Sequence, residues 1–165
     1  MRTTKRALII AMAALPLLLT GCGFQLQGRQ TLPPSLLRVH LETDERQSDF
    51  AVGLRAALAS AGATLEARPG PGIARVRVIE DAVTERVLTV SSRNIPTDYE
   101  LTHEVEISVE GPDGAQLMTP EEFSQIRVYS FDERKLLAKE REKDLLLLAM
   151  ARDMASVVMR RLVSL

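Results

Sequence analysis

Tyr99-Glu100-Leu101-Thr102-His103-Glu104-Val105-Glu106-Ile107-Ser108-Val109-Glu110 is the stretch that decides the fold. Tyr99, Leu101, His103, Val105, Ile107 and Val109 fall on one side of a period of two. Glu100, Thr102, Glu104, Glu106, Ser108 and Glu110 fall on the other. That alternation predicts a long strand with one face on a core and one face toward water or a polar partner. Gly111-Pro112-Asp113-Gly114 then reads as a tight turn, which favours an antiparallel return. The return strand is expected over Phe123–Phe131, after a polar break at Thr119-Pro120.

Upstream, Ala74 to Val90 favours a strand whose alternation changes phase near Glu80-Asp81, so a bulge or bend is expected there. Ser91 to Asp98 is a polar connection that contains Arg93, Asn94 and Pro96. Leu37, Val39 and Leu41 alternate with Arg38, His40 and Glu42 as a further half-buried strand. Ser48 or Asp49 caps a helix whose stripe is Phe50, Leu54, Ala57, Leu58 and Ala61, and Gly62 ends it. A brief extended piece, Thr64 to Ala67, precedes a Pro- and Gly-rich loop over 68–72.

Asp132 or Glu133 opens the final helix, in which Leu147, Ala151, Met154, Val158, Leu162 and Leu165 recur at helical spacing. The turn Leu145–Leu148 is apolar all round and is therefore either deeply buried or offered to a partner. The order strand, helix, three strands, helix predicts an α+β fold. It is a two-layer sandwich of an about four-stranded mixed sheet with two helices on one face.

A basic head (Arg2, Lys5, Arg6) and an apolar run from Ala7 to Leu19 read as a secretory signal, too short to span a bilayer. Leu19-Thr20-Gly21-Cys22 resembles the lipobox of bacterial lipoproteins and holds the only cysteine of the chain. The resemblance implies cleavage before Cys22 and lipid on its thiol, with several acyl chains making a durable anchor. Gly23, rather than Asp, after the cysteine implies the outer membrane of a Gram-negative cell, on its periplasmic side. The expected division is therefore a signal over 1–21, a lipidated tether over 22–34 and one domain over 35–165. The chain has 165 residues, with 21 Lys and Arg and 22 Asp and Glu. Removing the signal takes away three of the basic residues, leaving 18 against 22, a formal charge of about −4. Such a balance speaks against nucleic acid as a partner.

No nucleophile elbow, phosphate-binding loop or paired cysteines are present, so the reading is of a non-enzyme without a cofactor or metal. His40 is expected at the surface and His103 as a partly buried core histidine. Arg93, in a polar turn, and Lys139, in the first turns of the last helix, are either ordinary solvated cations or the two halves of an anion site.

Several short motifs lie in one order along the chain. They are Gly21-Cys22-Gly23-Phe24-x-Leu26, then Leu32-Pro33, then Arg93-Asn94 before Tyr99, then Leu137-Ala138-Lys139 opening the last helix. In that order the chain resembles the LptE family of lipopolysaccharide-assembly lipoproteins. The resemblance implies an α+β domain seated as a plug in the LptD β-barrel, help in assembling that barrel, and contact with lipopolysaccharide through basic residues. By motif position these are Arg93 and Lys139. The competing reading is an autonomous periplasmic lipoprotein that binds lipid or peptidoglycan.

Overall fold

The computed structural model describes residues 31–165; the signal, Cys22 and most of the tether lie outside them. Five strands are formed: β1 (Arg38–Glu42), β2 (Thr64–Leu65), β3 (Ala74–Val90), β4 (Pro96–Glu110) and β5 (Gln116–Ser130). Helix α1 spans Asp49–Ser60 and helix α2 spans Leu136–Val163. The sheet order is β2-β1-β3-β4-β5, with β1 parallel to both β2 and β3 and the remaining pairs antiparallel. The sheet is mixed, and the fold is α+β.

The expected four strands are thus five. The extra one is the brief extended piece after α1. Thr64 donates its N–H to Leu37 at 2.8 Å and Glu66 to Val39 at 2.8 Å, which adds a two-residue parallel edge to β1. Two residues carry no periodicity, so only pairing with β1 makes them a strand. This edge also overturns the surface assignment of His40, which is 8% exposed. Its Nδ1–H donates to the Glu66 carbonyl at 2.9 Å.

Odd-numbered residues of β4 are buried from Leu101 to Val109, and both helices lie over that face. Ser48 caps α1 by accepting the Ala51 N–H at 3.1 Å, and Gly62 ends the segment in the left-handed region at φ 96°. Phe50, Leu54 and Leu58 of α1 meet Met154, Val158 and Leu162 of α2 above Val76, Val105 and Ile107. Leu32 packs into this cluster as well, so the last residues of the expected tether join the domain. A smaller cluster of Leu101, Tyr129 and Met150, with Leu146 and Leu147 against it, lies nearer the start of α2. Leu145 in the same helical turn stays exposed.

Two of the sheet's register shifts decide which side chains face the helices. In β3 the pairing with β4 slips between Val78 and Glu80, next to the expected phase change. Before it Val76 and Val78 face the helices; after it Asp81, Val83, Glu85 and Val87 do, opposite Val105, His103, Leu101 and Tyr99. In β5 the shift falls between Met118 and Glu121, so Thr119-Pro120 is a bulge inside a strand that starts at Gln116, not a break before it. Proline is tolerated there because β5 is an edge strand.

The face away from the helices is not a bare row of glutamates. Arg75 lies 3.6 Å from Glu110, Arg77 3.3 Å from Glu42 and Arg86 2.6 Å from Glu100. Toward the β3–β4 turn the same face shows Ile126 and Val128 beside Thr102 and Glu100.

Candidate functional site

The β3–β4 hairpin ends in a turn that presents Arg93. Asn94 donates its N–H to the Ser91 carbonyl at 2.9 Å, and Ser91 donates to Ile95 at 2.8 Å. Asn94 sits at φ 58°, in the left-handed region that Asn tolerates better than most residues. The turn is thereby closed locally, and the exposed Arg93 side chain stands at its apex.

Strand β5 brings its own C-terminal end to the same place. Phe131 donates its N–H to the Thr97 carbonyl at 2.7 Å, and Ser130 donates its hydroxyl to Asp98 at 2.8 Å. Thr89 also bonds Asp98; the Thr89 and Ser130 hydroxyls hold this carboxyl below its ordinary value. Asp132 then accepts the Arg134 N–H at 3.0 Å and starts a 3-10 turn, Glu133–Lys135, ahead of α2. The result is a depression of about 170 Å³ walled by Arg93 and Arg134, with Ile95, Pro96 and Phe131 as its apolar side and Asp132 as an acidic wall. Among the described residues neither guanidinium has a carboxylate partner.

Lys139 stands differently. It is one further turn and more along α2, its side chain is 19% exposed, and its Nζ lies 2.8 Å from Glu142. It does not wall the Arg93 depression, and no hydrogen bond or ion pair joins the two. The structure therefore places Arg93 and Lys139 at one end of the molecule but brings Arg134, not Lys139, to Arg93. The sequence held no signal for Arg134 beyond its position after Asp132, because the meeting depends on β5 pairing with β4.

Below the tip, Glu85 is turned toward the helix by the β3 bulge. It receives Lys143 of α2 as an ion pair and the Tyr129 hydroxyl at 3.3 Å. Burial, and then the Glu85 charge, push the Tyr129 phenol up to about 12. Tyr129 stacks on Tyr99 with ring centroids 5.5 Å apart, and Tyr99 meets Phe131 edge-on. This aromatic and ionic joint seats the first turns of α2 against the sheet and so sets where Arg134 stands.

The exposed surface around the tip is apolar as well as basic. Val87, Leu88 and Val90 of β3, Ile126 and Val128 of β5, and Leu136 and Leu137 of α2 are all exposed, Leu137 to 74%. No helix among the described residues is long and apolar enough to cross a membrane.

An open mixed sheet backed by two helices defines the class, an α+β domain. Three solved lipoproteins share this fold. Rare lipoprotein B from Shewanella oneidensis superposes with a TM-score of 0.68 at 24% identity, over 77% of this chain and 94% of that one. Lipoprotein B from Nitrosomonas europaea gives 0.69 at 22% identity, over 84% and 88%. A minor lipoprotein from Acinetobacter baumannii gives 0.66 at 19%, over 80% and 94%. At these identities they show the fold alone. The model of the LptE family, described as lipopolysaccharide-assembly, matches residues 36–162, and the chain belongs to that family. The LPS-assembly lipoprotein LptE of Yersinia enterocolitica is 23% identical over 158 residues, which is 95% of this chain and 75% of that protein.

Proposed function

We propose that the chain is a lipid-anchored outer-membrane lipoprotein that acts in lipopolysaccharide assembly. Signal cleavage leaves Cys22 as the acylated N-terminus and residues 22–34 as the tether, whose last residues pack onto the domain that continues over 35–165. The domain seats as a plug in the LptD β-barrel, assists that barrel's assembly and binds lipopolysaccharide, performing no catalysis. Arg93 and Lys139 are the cations assigned to that ligand, and Arg134 joins Arg93.

The observation that carries the ligand assignment is the tip depression. Two guanidinium groups without carboxylate partners among the described residues match phosphate with planar forks of N–H donors. The apolar wall of Ile95, Pro96 and Phe131, with Leu136 and Leu137 exposed close by in the chain, suits the acyl part of the same amphiphile. With a mature charge near −4 the whole-molecule field repels a phosphorylated ligand, so local cations have to supply the attraction.

The open sheet face supports the plug. It carries the pairs Arg75–Glu110, Arg77–Glu42 and Arg86–Glu100 together with the glutamates Glu104 and Glu106, and such a charged face suits the polar lumen of a large barrel. Protease added to permeabilised cells is expected to degrade the chain slowly when the barrel is present and rapidly when it is depleted. Equal rates in the two cells would reject lumenal seating.

A further inference from the structure

The free edges of the sheet are not alike. At one side β2 is only two residues long. At the other, β5 carries Pro120 inside its bulge, and its Gln125 and Arg127 are tied to Met150 and Asp153 of α2. Short strands, prolines, bulges and edge charges are the usual means of keeping an edge from pairing. The outer edge of β3 is the exception. There β1 ends at Glu42, opposite Arg77, while β3 runs on to Val90. Among the described residues no backbone hydrogen bond from another segment reaches that edge between Ile79 and Val90.

This stretch holds neither Pro nor Lys. Glu80 to Val87 pair with Glu106 to Tyr99 without a register shift, so the strand is regular there. Ile79, Val83, Val87, Leu88 and Val90 are each about half exposed. Three of its charges are already engaged inside the domain: Asp81 by His103, Glu85 by Lys143 and Arg86 by Glu100. Glu80 is different. It has no cationic partner among the described residues and lies opposite Glu106, which lies opposite Glu122, a row of like charges across three strands.

An open run of alternating N–H and C=O groups is matched by another extended backbone, which repeats them at the same spacing. A second copy meets that need poorly. Consider two β3 edges paired antiparallel about a two-fold axis normal to the sheet. The two longest registers that keep Ser91 clear of the other copy's β1 set Glu85 against Glu85 or Arg86 against Arg86 at the axis. We propose that the outer edge of β3 over Ile79–Val90 takes an added strand from a partner protein, with apolar residues beside Val83 and Val87 and a Lys or Arg beside Glu80. This added strand rests on the proposed function only in that the chain works inside a protein complex, and on neither the tip depression nor its ligand.

The test is hydrogen–deuterium exchange, read by mass spectrometry, on the mature full chain alone in detergent and in the complex isolated from outer membranes. Alone, the β3 amides bonded to β4 exchange slowly and those on the free edge quickly. In the complex the edge amides of 79–90 are expected to slow by at least about a hundredfold. Val83→Lys with Val87→Lys places charges on the edge at half-exposed positions. With the circular dichroism spectrum unchanged, it should restore fast exchange and lower recovery of the partner roughly tenfold. Glu80→Lys should lower recovery as well, while leaving stability to urea unchanged or improved, because it relieves the repulsion with Glu106. Edge amides that stay fast in an intact complex overturn the added strand and leave the barrel plug standing, whereas recovery of no partner overturns both. Edge amides already slow in the chain alone also overturn it: protection that fades on dilution marks a second copy, and protection that persists marks the chain's own N-terminal segment. Full protection in both folded variants overturns it too.

Discussion

The two ends of the β3–β4 hairpin are made of the same kinds of residue and do opposite things. At the base, Val76, Ile107 and Val109 are closed over by α1 and by the second half of α2, with β1 alongside. At the tip, Val87 and Val90 belong to the same strand and stay about half exposed, because β1 ends at Glu42, opposite Arg77, and leaves that edge of β3 unpaired. Apolar side chains at the base are therefore structural. At the tip they are an unfilled surface, and they sit beside the cations Arg93 and Arg134. Hydrophobicity alone does not separate a core from a docking face; what lies above it does.

The sharpest test of that contrast is truncation. Phe50→Ala removes a side chain 1% exposed at the centre of the base and should lower unfolding free energy by about 3–5 kcal/mol in urea denaturation. Val128→Ser, at 53% exposure near the tip, should change it by no more than about 0.5 kcal/mol. Comparable losses from the two would erase the distinction.

The boundary between the regions is the Asp81–His103 bridge, and it should titrate. Burial alone would raise the Asp81 carboxyl, but bonds from His103 and Ser48 and the charge of His103 together bring it below its ordinary value of 3.8. A carboxyl depressed in the folded state contributes stability that is fully present above the unfolded value and is lost as pH falls through the folded one. Stability should therefore fall on acidification below about pH 4. Asp81→Asn should be less stable near neutrality and show a flatter acid limb in denaturation curves taken across that window. An unchanged limb would remove Asp81 from the account.

A smaller effect is expected from charge reversal at the tip. Arg93→Glu with Arg134→Glu should weaken lipopolysaccharide binding by about tenfold and leave the circular dichroism spectrum in place, and added salt should imitate the loss. Lys139→Gln should have the least effect of all. Its Nζ is engaged by Glu142 three residues on, a pairing worth about 0.2–0.5 kcal/mol. Should Lys139→Gln instead abolish binding while the arginine reversal is silent, the ligand lies along α2 and not in the hairpin depression.

Much of this architecture was legible residue by residue. The alternation from Tyr99 to Glu110, the Ser48 cap, the stripe of α1 and the C-terminal stripe of α2 are consequences of periods of two and 3.6, which local geometry imposes on any chain. The phase change near Glu80 announced the β3 bulge in the same way. A resemblance carried by short motifs pointed to the LptE family, and the match over 36–162 places the chain there.

What periodicity cannot supply is which separate segments meet. Thr64-Leu65 became a strand, and His40 became buried, only because β1 had an open edge to pair. Asp81 reached His103, 22 residues on, because the bulge turned it onto the covered face. Arg134 reached Arg93 because β5 pairs with β4 and ends beside the hairpin turn, while Lys139, chosen by its place in the chain, was taken by Glu142. By itself the sequence determined the long elements and the inward faces of β4 and both helices, since those depend on neighbours a few residues away. The tertiary structure decided the partners of the charged groups, since an ion pair or an open cation depends on distances between residues that the chain order leaves far apart.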